Sequence, residues 1–225
     1  MSTPPPPPEL ATKRKTLPWR GLTLFGIAAA ATVLFVKIAS ELREGELDKL
    51  DTRVAIAVHH QQNVVLDVLA ISFTLIGSSP FLIAAIASVC YWAYRRGRRS
   101  YILIVVATCV IAWVLSPLLK LFFARARPTL FEVITRPDSY SFPSGHSMSA
   151  VVVYGALAAV VIALRPTAKP LAVIVAMILI TCIGLSRVYL GAHWPMDVLA
   201  GWAAGVPFLV TTVHLLHRAQ RERSN

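Results

Sequence analysis

Long apolar runs separated by short polar connections dominate the sequence. Six of them are long enough to cross a bilayer, because the hydrocarbon core requires about 20 helical residues. These runs cover approximately residues 21–40, 64–94, 101–123, 146–164, 171–190 and 196–217. The second run is longer than one span and contains GSSP at 77–80, which predicts a tilt or a kink at Pro80. The pattern therefore predicts an all-α integral membrane bundle of six transmembrane helices.

Positive charges alternate between successive connections and predict the orientation of this bundle. Lys and Arg cluster before the first run, between the second and third, between the fourth and fifth, and after the sixth. Because Lys and Arg are retained in the cytoplasm, we expect both termini there. The mostly acidic segment 41–51 is expected outside. Within residues 41–60, the roughly helical spacing of apolar residues predicts an amphipathic helix on that outer surface. These residues are Leu42, Leu47, Leu50 and Val54.

The two ends of the chain differ from the membrane region between them. Residues 1–20 contain five consecutive prolines followed by a basic cluster, which predicts a disordered cytoplasmic tail. The membrane domain is predicted over 21–217, and a second basic cytoplasmic tail over 218–225. A role of the proline tract as a ligand for a partner domain stays open.

Composition supports an integral membrane protein and excludes other classes. Hydrophobic residues make up 56% of the chain and charged residues 15%, against about 25% charged in an average soluble domain. The net charge of +11 does not indicate nucleic acid binding, because the basic residues separate apolar runs instead of forming one solvated face. The three cysteines lie inside apolar runs and show no disulfide or metal spacing.

Polar residues that are unusual for a membrane protein lie at the predicted outer ends of four runs. They are Lys120, Arg125 and Arg127 after the third run, Ser144, Gly145 and His146 before the fourth, Ser186 and Arg187 ending the fifth, and His193 and Asp197 beginning the sixth. A cation inside a span costs about 2.5–3.5 kcal/mol and is a functional candidate by default. A single cation of this kind ordinarily extends its charged end to the interface. Lys120, Arg127 and Arg187 together with two histidines instead predict a functional site.

The residue types in this set suit a phosphate group. Arg127 and Arg187 offer planar forks to two oxygens at once, and Lys120 adds a point charge. Ser144 and Gly145 add a hydroxyl and backbone N–H groups at a helix start, where the dipole also favours an anion. Taken alone, this Ser-Gly turn would indicate no more than a helix cap.

The spacing of His193 and Asp197 indicates covalent chemistry. Residues four apart at a helix start share one face, so Asp197 can accept the proton of one imidazole nitrogen while the other faces a phosphate. An orienting carboxylate of this kind makes a histidine nucleophile by the logic of the serine hydrolase triad. A structural pair that caps the helix is the alternative.

Three of these segments together resemble a known family. KLFFARARP at 120–128 fits K-x6-RP, PSGH at 143–146 fits as it stands, and SRVYLGAHWPMD at 186–197 fits SR-x5-H-x3-D. These are the signatures of the type 2 phosphatidic acid phosphatase superfamily, and the six-span layout is similar to its membrane lipid phosphatase branch. The resemblance implies a fold, an activity and a set of roles for matching residues.

By this resemblance, His193 attacks phosphorus and becomes a phosphohistidine, Asp197 supports it, and His146 protonates the leaving oxygen. The phosphoryl oxygens would be held by Lys120, Arg127, Ser144, Gly145 and Arg187. No metal and no cofactor is expected. The expected partner is a phosphorylated lipid in the cell membrane, with the site facing the periplasmic or extracellular side.

The motifs establish phosphate handling but do not select a lipid. Phosphatidic acid, phosphatidylglycerol phosphate and undecaprenyl diphosphate all stay open. Arg125 and Arg136 are additional cations that would suit a second phosphate or interfacial solvation equally. Two rival functions also stay open, which are a lipid phosphotransferase with the same intermediate and a transporter or binder of anionic lipid without chemistry.

Overall fold

The computed structural model describes residues 19–130 and 139–222. Eight α-helices occur in this part of the chain. They are α1 Trp19–Arg43, α2 Asp48–His59, α3 Val64–Ile76, α4 Ser79–Arg95, α5 Arg99–Phe123, α6 Gly145–Leu164, α7 Lys169–Tyr189 and α8 Pro195–Arg221. A single 3-10 turn, Pro166–Ala168, connects α6 to α7. The predicted N-terminal tail lies outside the described residues up to residue 18.

Among the described residues, five helices are long and apolar enough to cross a membrane by themselves. They are α1, α5, α6, α7 and α8. Helices α3 and α4 pass the same test only as a pair, which is bent by 56° at a short break. The predicted all-α bundle is confirmed, and its kinked second run is a broken pair of helices. Pro80 lies in the first turn of α4, where a missing N–H removes no helical hydrogen bond.

The break between α3 and α4 begins at Gly77, which is buried against other helices. The carbonyl of Ile76, at the end of α3, accepts a hydrogen bond from the Tyr154 hydroxyl at 2.8 Å. A Cβ at Gly77 would lie 2.6 Å from Cγ2 of Ile183 and 3.3 Å from Cδ2 of His146. Irregular backbone at membrane depth requires such shielding and replacement hydrogen bonds. The break thus brings α3 against the polar ends of α6 and α7.

Helix α6 forms the centre of the bundle and packs against α5, α7 and α8. Glycines on α8 allow its closest approach to α6. A Cβ at Gly201 would lie 2.6 Å from the carbonyl oxygen of Ser144, and one at Gly205 would lie 2.8 Å from Cβ of Val151. Small residues at helix interfaces permit this backbone contact in membranes. The start of α6 is therefore held directly against the first turns of α8.

Two further helices complete the same end of the bundle. The C-terminal half of α1 packs on α8, where Ile38 and Ala39 share a core cluster with Phe142 and Ala200. The amphipathic helix predicted within residues 41–60 is α2, which contacts α7 and α8. At one end of the bundle, the start of α8 is thus surrounded by the end of α1, by α2 and by the start of α6.

Candidate active site

The polar residues selected from the sequence lie together at this end of the bundle. They are carried by the ends of α5 and α7, by the starts of α6 and α8, and by the loops between them. His146 interacts electrostatically with Arg187, His193, Lys120 and Arg127. Side chains from four separate segments of sequence therefore form one site.

His193 and Asp197 are a buried pair. Nδ1 of His193 lies 3.4 Å from Oδ2 of Asp197, and these side chains are 3% and 0% exposed. An ionised carboxylate only accepts hydrogen bonds, so the proton between them belongs to Nδ1. Nε2 lies 3.3 Å from Nη1 of Arg127, and a guanidinium only donates. Both contacts select the tautomer with its lone pair on Nε2.

Helix α8 includes only the aspartate of this pair, whereas the spacing predicted that both residues share a helical face. Its first residue is Pro195, so His193 lies in the preceding loop and does not share a helical face with Asp197. Asp197 is the third residue of the helix, and its Oδ2 accepts the backbone N–H of Trp194 at 3.0 Å. The carboxylate therefore caps the helix and holds the histidine at the same time.

Burial keeps the His193 imidazole neutral. Removal from water lowers the pKa of His193 to about 4, with Lys120 and Arg127 acting in the same direction. The hydrogen bond and the charge of Asp197 oppose this shift without overcoming it. A neutral imidazole at physiological pH retains the lone pair that a nucleophile requires.

Two cations line the loop that joins α5 to α6. Arg127 donates from Nε to the carbonyl of Ser139 at 2.7 Å and from Nη1 to the carbonyl of Ala192 at 2.6 Å. Nζ of Lys120 donates to the carbonyl of Tyr140 at 2.6 Å. These contacts fix both charges beside the histidine pair, with backbone oxygens that a bound anion can replace.

The turn before α6 joins the same site. Ser144 is the N-cap of the helix, and its Oγ accepts the backbone N–H of Ser147 at 3.4 Å. Its own N–H donates to the carbonyl of Asp197 at 2.9 Å, which ties the two helix starts together. A Cβ at Gly145 would lie 3.8 Å from Cε of Lys120. The absence of a side chain at Gly145 thus lets the start of α6 lie close to the Lys120 side chain.

Arg187 approaches from α7 and is only 7% exposed. Its Nη1 donates to Oγ1 of Thr74 at 2.9 Å, and that oxygen also lies 2.9 Å from Oγ of Ser186. Its Nε is buried and makes no hydrogen bond within the described residues. Buried donors are almost always paired, so this N–H is available to an acceptor that enters the site.

The donor set does not suit a bound metal ion. No group of three or more His, Cys, Asp and Glu side chains that would hold one occurs within residues 19–130 and 139–222. Hard cations such as Mg²⁺ and Ca²⁺ require oxygen ligands, and the two carboxylates nearest the histidines are already bound to a guanidinium. The positive charge of the site comes from the protein itself.

Comparison with known proteins identifies the family. Residues 100–221 match the model of the PAP2 superfamily. The chain belongs to the PAP2 superfamily. It is similar to phosphatidylglycerophosphatase B of Bacillus subtilis, 28% identical over 77% of this chain and 87% of that protein. It is also 37% identical to an undecaprenyl-diphosphatase of Sulfolobus acidocaldarius, over 50% of this chain and 53% of that protein.

A solved structure extends this PAP2 likeness to almost the whole fold. The transmembrane PAP2-type phosphatidylglycerolphosphate phosphatase from Bacillus subtilis superposes with a TM-score of 0.77 at 26% identity. The match covers 87% of this chain and 96% of that one. The protein is therefore a multi-pass membrane protein with the PAP2 membrane fold.

The surroundings of Arg125 in this PAP2 protein differ from both alternatives considered for it, which were solvation at the interface and contact with a second phosphate. Its side chain is 9% exposed, so it is not solvated at the interface. Its two terminal nitrogens bind Asp197 and Asp51, each at 2.7 Å, so they do not face a second phosphate. Arg136, the other additional cation, lies outside the described residues.

Sequence reasoning missed two residues of the site. Asp51 lies in the acidic segment that was predicted as part of an amphipathic surface helix, with no role for its carboxylates, yet it is fully buried. Its spacing gives a signal, because it lies four residues after Leu47 and four before Ala55, on the apolar face of α2. Thr74 carries no such signal, since a hydroxyl inside an apolar helix is common and its contact with Arg187 is made across helices.

Proposed function

We propose that this enzyme, a lipid phosphate phosphatase, acts through a phosphohistidine on His193 and needs no metal ion. The observation that carries this proposal is the buried His193–Asp197 pair, whose Nε2 lone pair faces Arg127. A phosphate placed between that nitrogen and the surrounding cations would be in position for attack. Binding alone would not require an oriented, neutral imidazole.

The reaction would proceed in two displacements. In the first, Nε2 of His193 attacks phosphorus, an N–P bond forms, and the bond to the lipid oxygen breaks as His146 protonates that oxygen. Asp197 stabilises the imidazolium that results. In the second, His146 removes a proton from water, the water oxygen attacks phosphorus, and the N–P bond breaks to release inorganic phosphate.

Fixed cations would supply the charge stabilisation that other phosphatases take from a metal. Negative charge spreads over the equatorial oxygens during phosphoryl transfer. Lys120, Arg127 and Arg187 would face those oxygens. The Ser144 hydroxyl and the backbone N–H of Gly145 would add two further donors. Donors fixed before the reaction are the most effective kind, because no reorganisation is needed in the transition state.

The substrate we infer is a phosphorylated lipid at the outer interface. The helix ends opposite the site carry Arg95, Arg96, Arg98 and Arg99 between α4 and α5, and Arg165 and Lys169 between α6 and α7. Such clusters are retained in the cytoplasm, which favours a site on the outer side. The relatives' names support phosphatidylglycerol phosphate and undecaprenyl diphosphate as candidates beside phosphatidic acid.

Phosphate release in detergent tests this function. We expect the purified protein to release phosphate from at least one of these three lipids, at the same rate with and without EDTA. Loss of activity in EDTA with recovery on addition of Mg²⁺ would contradict the metal-free mechanism. Phosphate release that required an added lipid or sugar acceptor would favour the phosphotransferase, and tight lipid binding without turnover would favour a binder.

An apolar cavity beside the site supports a lipid substrate. It has a volume of about 500 Å³ and lies between α2, α3, α7 and α8. Its wall includes Ser186, which contacts the Thr74 hydroxyl bound by Arg187, and Pro195 at the start of α8. A chain of CH₂ groups in this space would gain roughly 0.8 kcal/mol for each group removed from water. The cavity therefore suits the chain of a lipid whose phosphate lies in the polar site.

Filling this cavity should select against long chains. Ala70 lies on its α3 wall and is buried. We expect Ala70→Trp to raise KM for a long-chain phosphatidic acid at least about tenfold. The indole would displace at least two CH₂ groups of the lipid chain from the cavity, at roughly 0.8 kcal/mol each. KM for a short-chain analogue should change little. The matched control is Ala30→Trp on the exposed surface of α1, and equal effects on both chain lengths would contradict the assignment.

A further inference from the structure

A buried chain of three charges runs from the catalytic pair to the surface helix α2. Nη1 of Arg125 binds Oδ1 of Asp197 at 2.7 Å, and Nη2 binds Oδ2 of Asp51 at 2.7 Å. The exposed fractions of the three side chains are 9%, 0% and 0%. Charge-assisted hydrogen bonds of this length in a protected site are strong and directional.

Each member of this chain is also held by groups outside it. The second oxygen of Asp51 accepts the backbone N–H of Met196 at 2.9 Å, in the first turn of α8. The guanidinium of Arg125 lies over the ring of Trp194, 5.4 Å from its centroid. The Trp194 indole N–H in turn donates to the carbonyl of Ala126 at 3.1 Å. The arginine therefore has one defined position relative to α8.

This position determines how the Asp197 carboxylate is oriented. Its Oδ2 accepts hydrogen bonds from the His193 ring and from the backbone N–H of Trp194. Its Oδ1 accepts a hydrogen bond from Arg125. With both oxygens engaged, the carboxylate cannot rotate about its Cβ–Cγ bond. Hydrogen bonds that orient the partner of a histidine often matter to its function nearly as much as the partner itself.

The charge balance of the chain explains why a second carboxylate is present. Arg125 alone would cancel the charge of Asp197 and weaken its attraction for a histidine cation. With Asp51 included, the three side chains carry a net charge of −1, which opposes the positive charges of Lys120 and Arg127 at the imidazole. The exposed Asp48, whose Oδ1 lies 3.4 Å from Nη2 of Arg125, adds a further carboxylate to this negative charge. That charge can stabilise the imidazolium that forms on attack.

We propose that Arg125 and Asp51 are positioning residues that orient and charge-balance Asp197, and so couple the surface helix α2 to the reaction. This inference rests on the proposed function, because it assigns a role towards the same nucleophile. The terminal nitrogens of Arg125 and both oxygens of Asp51 already have protein partners, so we expect neither residue to contact the phosphate. Their loss should therefore slow the chemical step and leave substrate binding largely unchanged.

Substitutions at the two positions test the role. We expect Arg125→Lys to lower kcat by about 10- to 100-fold with KM within about twofold, since one ammonium cannot hold two carboxylates in the same geometry. Arg125→Met should be worse, because two buried carboxylates then face each other without a cation. Adding Asp51→Asn to Arg125→Met should restore part of kcat, since it removes one of those charges.

The measurements are kcat, KM and thermal midpoint for each variant, with Glu46→Gln and Arg53→Met as controls at exposed positions near Asp51. Rescue by the double variant at unchanged KM supports positioning. An increase in KM alone at Arg125 would overturn the proposal and make it a phosphate ligand. A lower thermal midpoint with unchanged kcat per folded enzyme would overturn it in favour of a structural role. Failure of the proposed function is seen separately, as absence of turnover in the wild type.

Discussion

Replacing His193 with alanine should reduce phosphate release by about 10⁴-fold or more. The variant removes the atom to which the phosphoryl group would be transferred, and loss of a covalent nucleophile has effects of this size in hydrolases. Asp197, Arg127 and the other cations would remain in place. Substrate should therefore still bind, and KM should change far less than kcat.

The decisive measurement combines turnover with trapping of the intermediate. Wild-type enzyme quenched in base after mixing with lipid labelled in its phosphate should carry label on a histidine, and His193→Ala should carry none. The control is His214→Ala, an exposed histidine near the other end of α8, which should behave as wild type. Label that persists in His193→Ala would show that another residue is the nucleophile.

Replacing Arg127 with lysine should reduce kcat by about 10²- to 10³-fold, the range seen when one fixed donor to a developing oxyanion is removed. Arg127 combines three tasks that an ammonium cannot combine. It lies 3.3 Å from Nε2 of His193, and it binds the carbonyls of Ser139 and Ala192 on two different loops. A lysine would keep the charge and lose the planar fork.

Steady-state kinetics separates these contributions. A decrease in kcat at nearly constant KM is expected if Arg127 acts on the transition state, whereas an increase in KM alone would limit it to ground-state binding. Arg43→Lys is the matched control, because Arg43 is an exposed arginine at the same end of the bundle. Equal loss of activity in both variants would indicate a general effect on the membrane domain.

Features that depend on a single segment of the chain could be predicted from the sequence. The apolar runs predicted α1 and α5 to α8, since only length and hydrophobicity decide whether a helix can span. The site residues were selected in the same way, because Lys120 and His146 are costly in a membrane unless they have a function. Their gathering at one end followed from the direction of each helix.

The remaining features depend on contacts between segments far apart in sequence. Nothing in the neighbourhood of Arg125 indicates that its partners are Asp51 and Asp197, 74 and 72 residues away. The position of His193 in the loop before α8 was also missed, because helix spacing and a capped loop both bring an aspartate near a histidine four residues earlier. Local pattern thus identified the candidate residues, whereas the partners of each residue depend on tertiary packing.

The break between α3 and α4 affects which residues a chimeric protein needs in order to contain the whole candidate site. The family match covers residues 100–221. However, Thr74 from α3 contacts Arg187, and the break allows α3 to approach α7 there. Asp51 from α2 joins the site from the same upstream region. We therefore expect the shared block alone to lack these contacts, and a chimera that keeps them would carry residues 48–76 together with it.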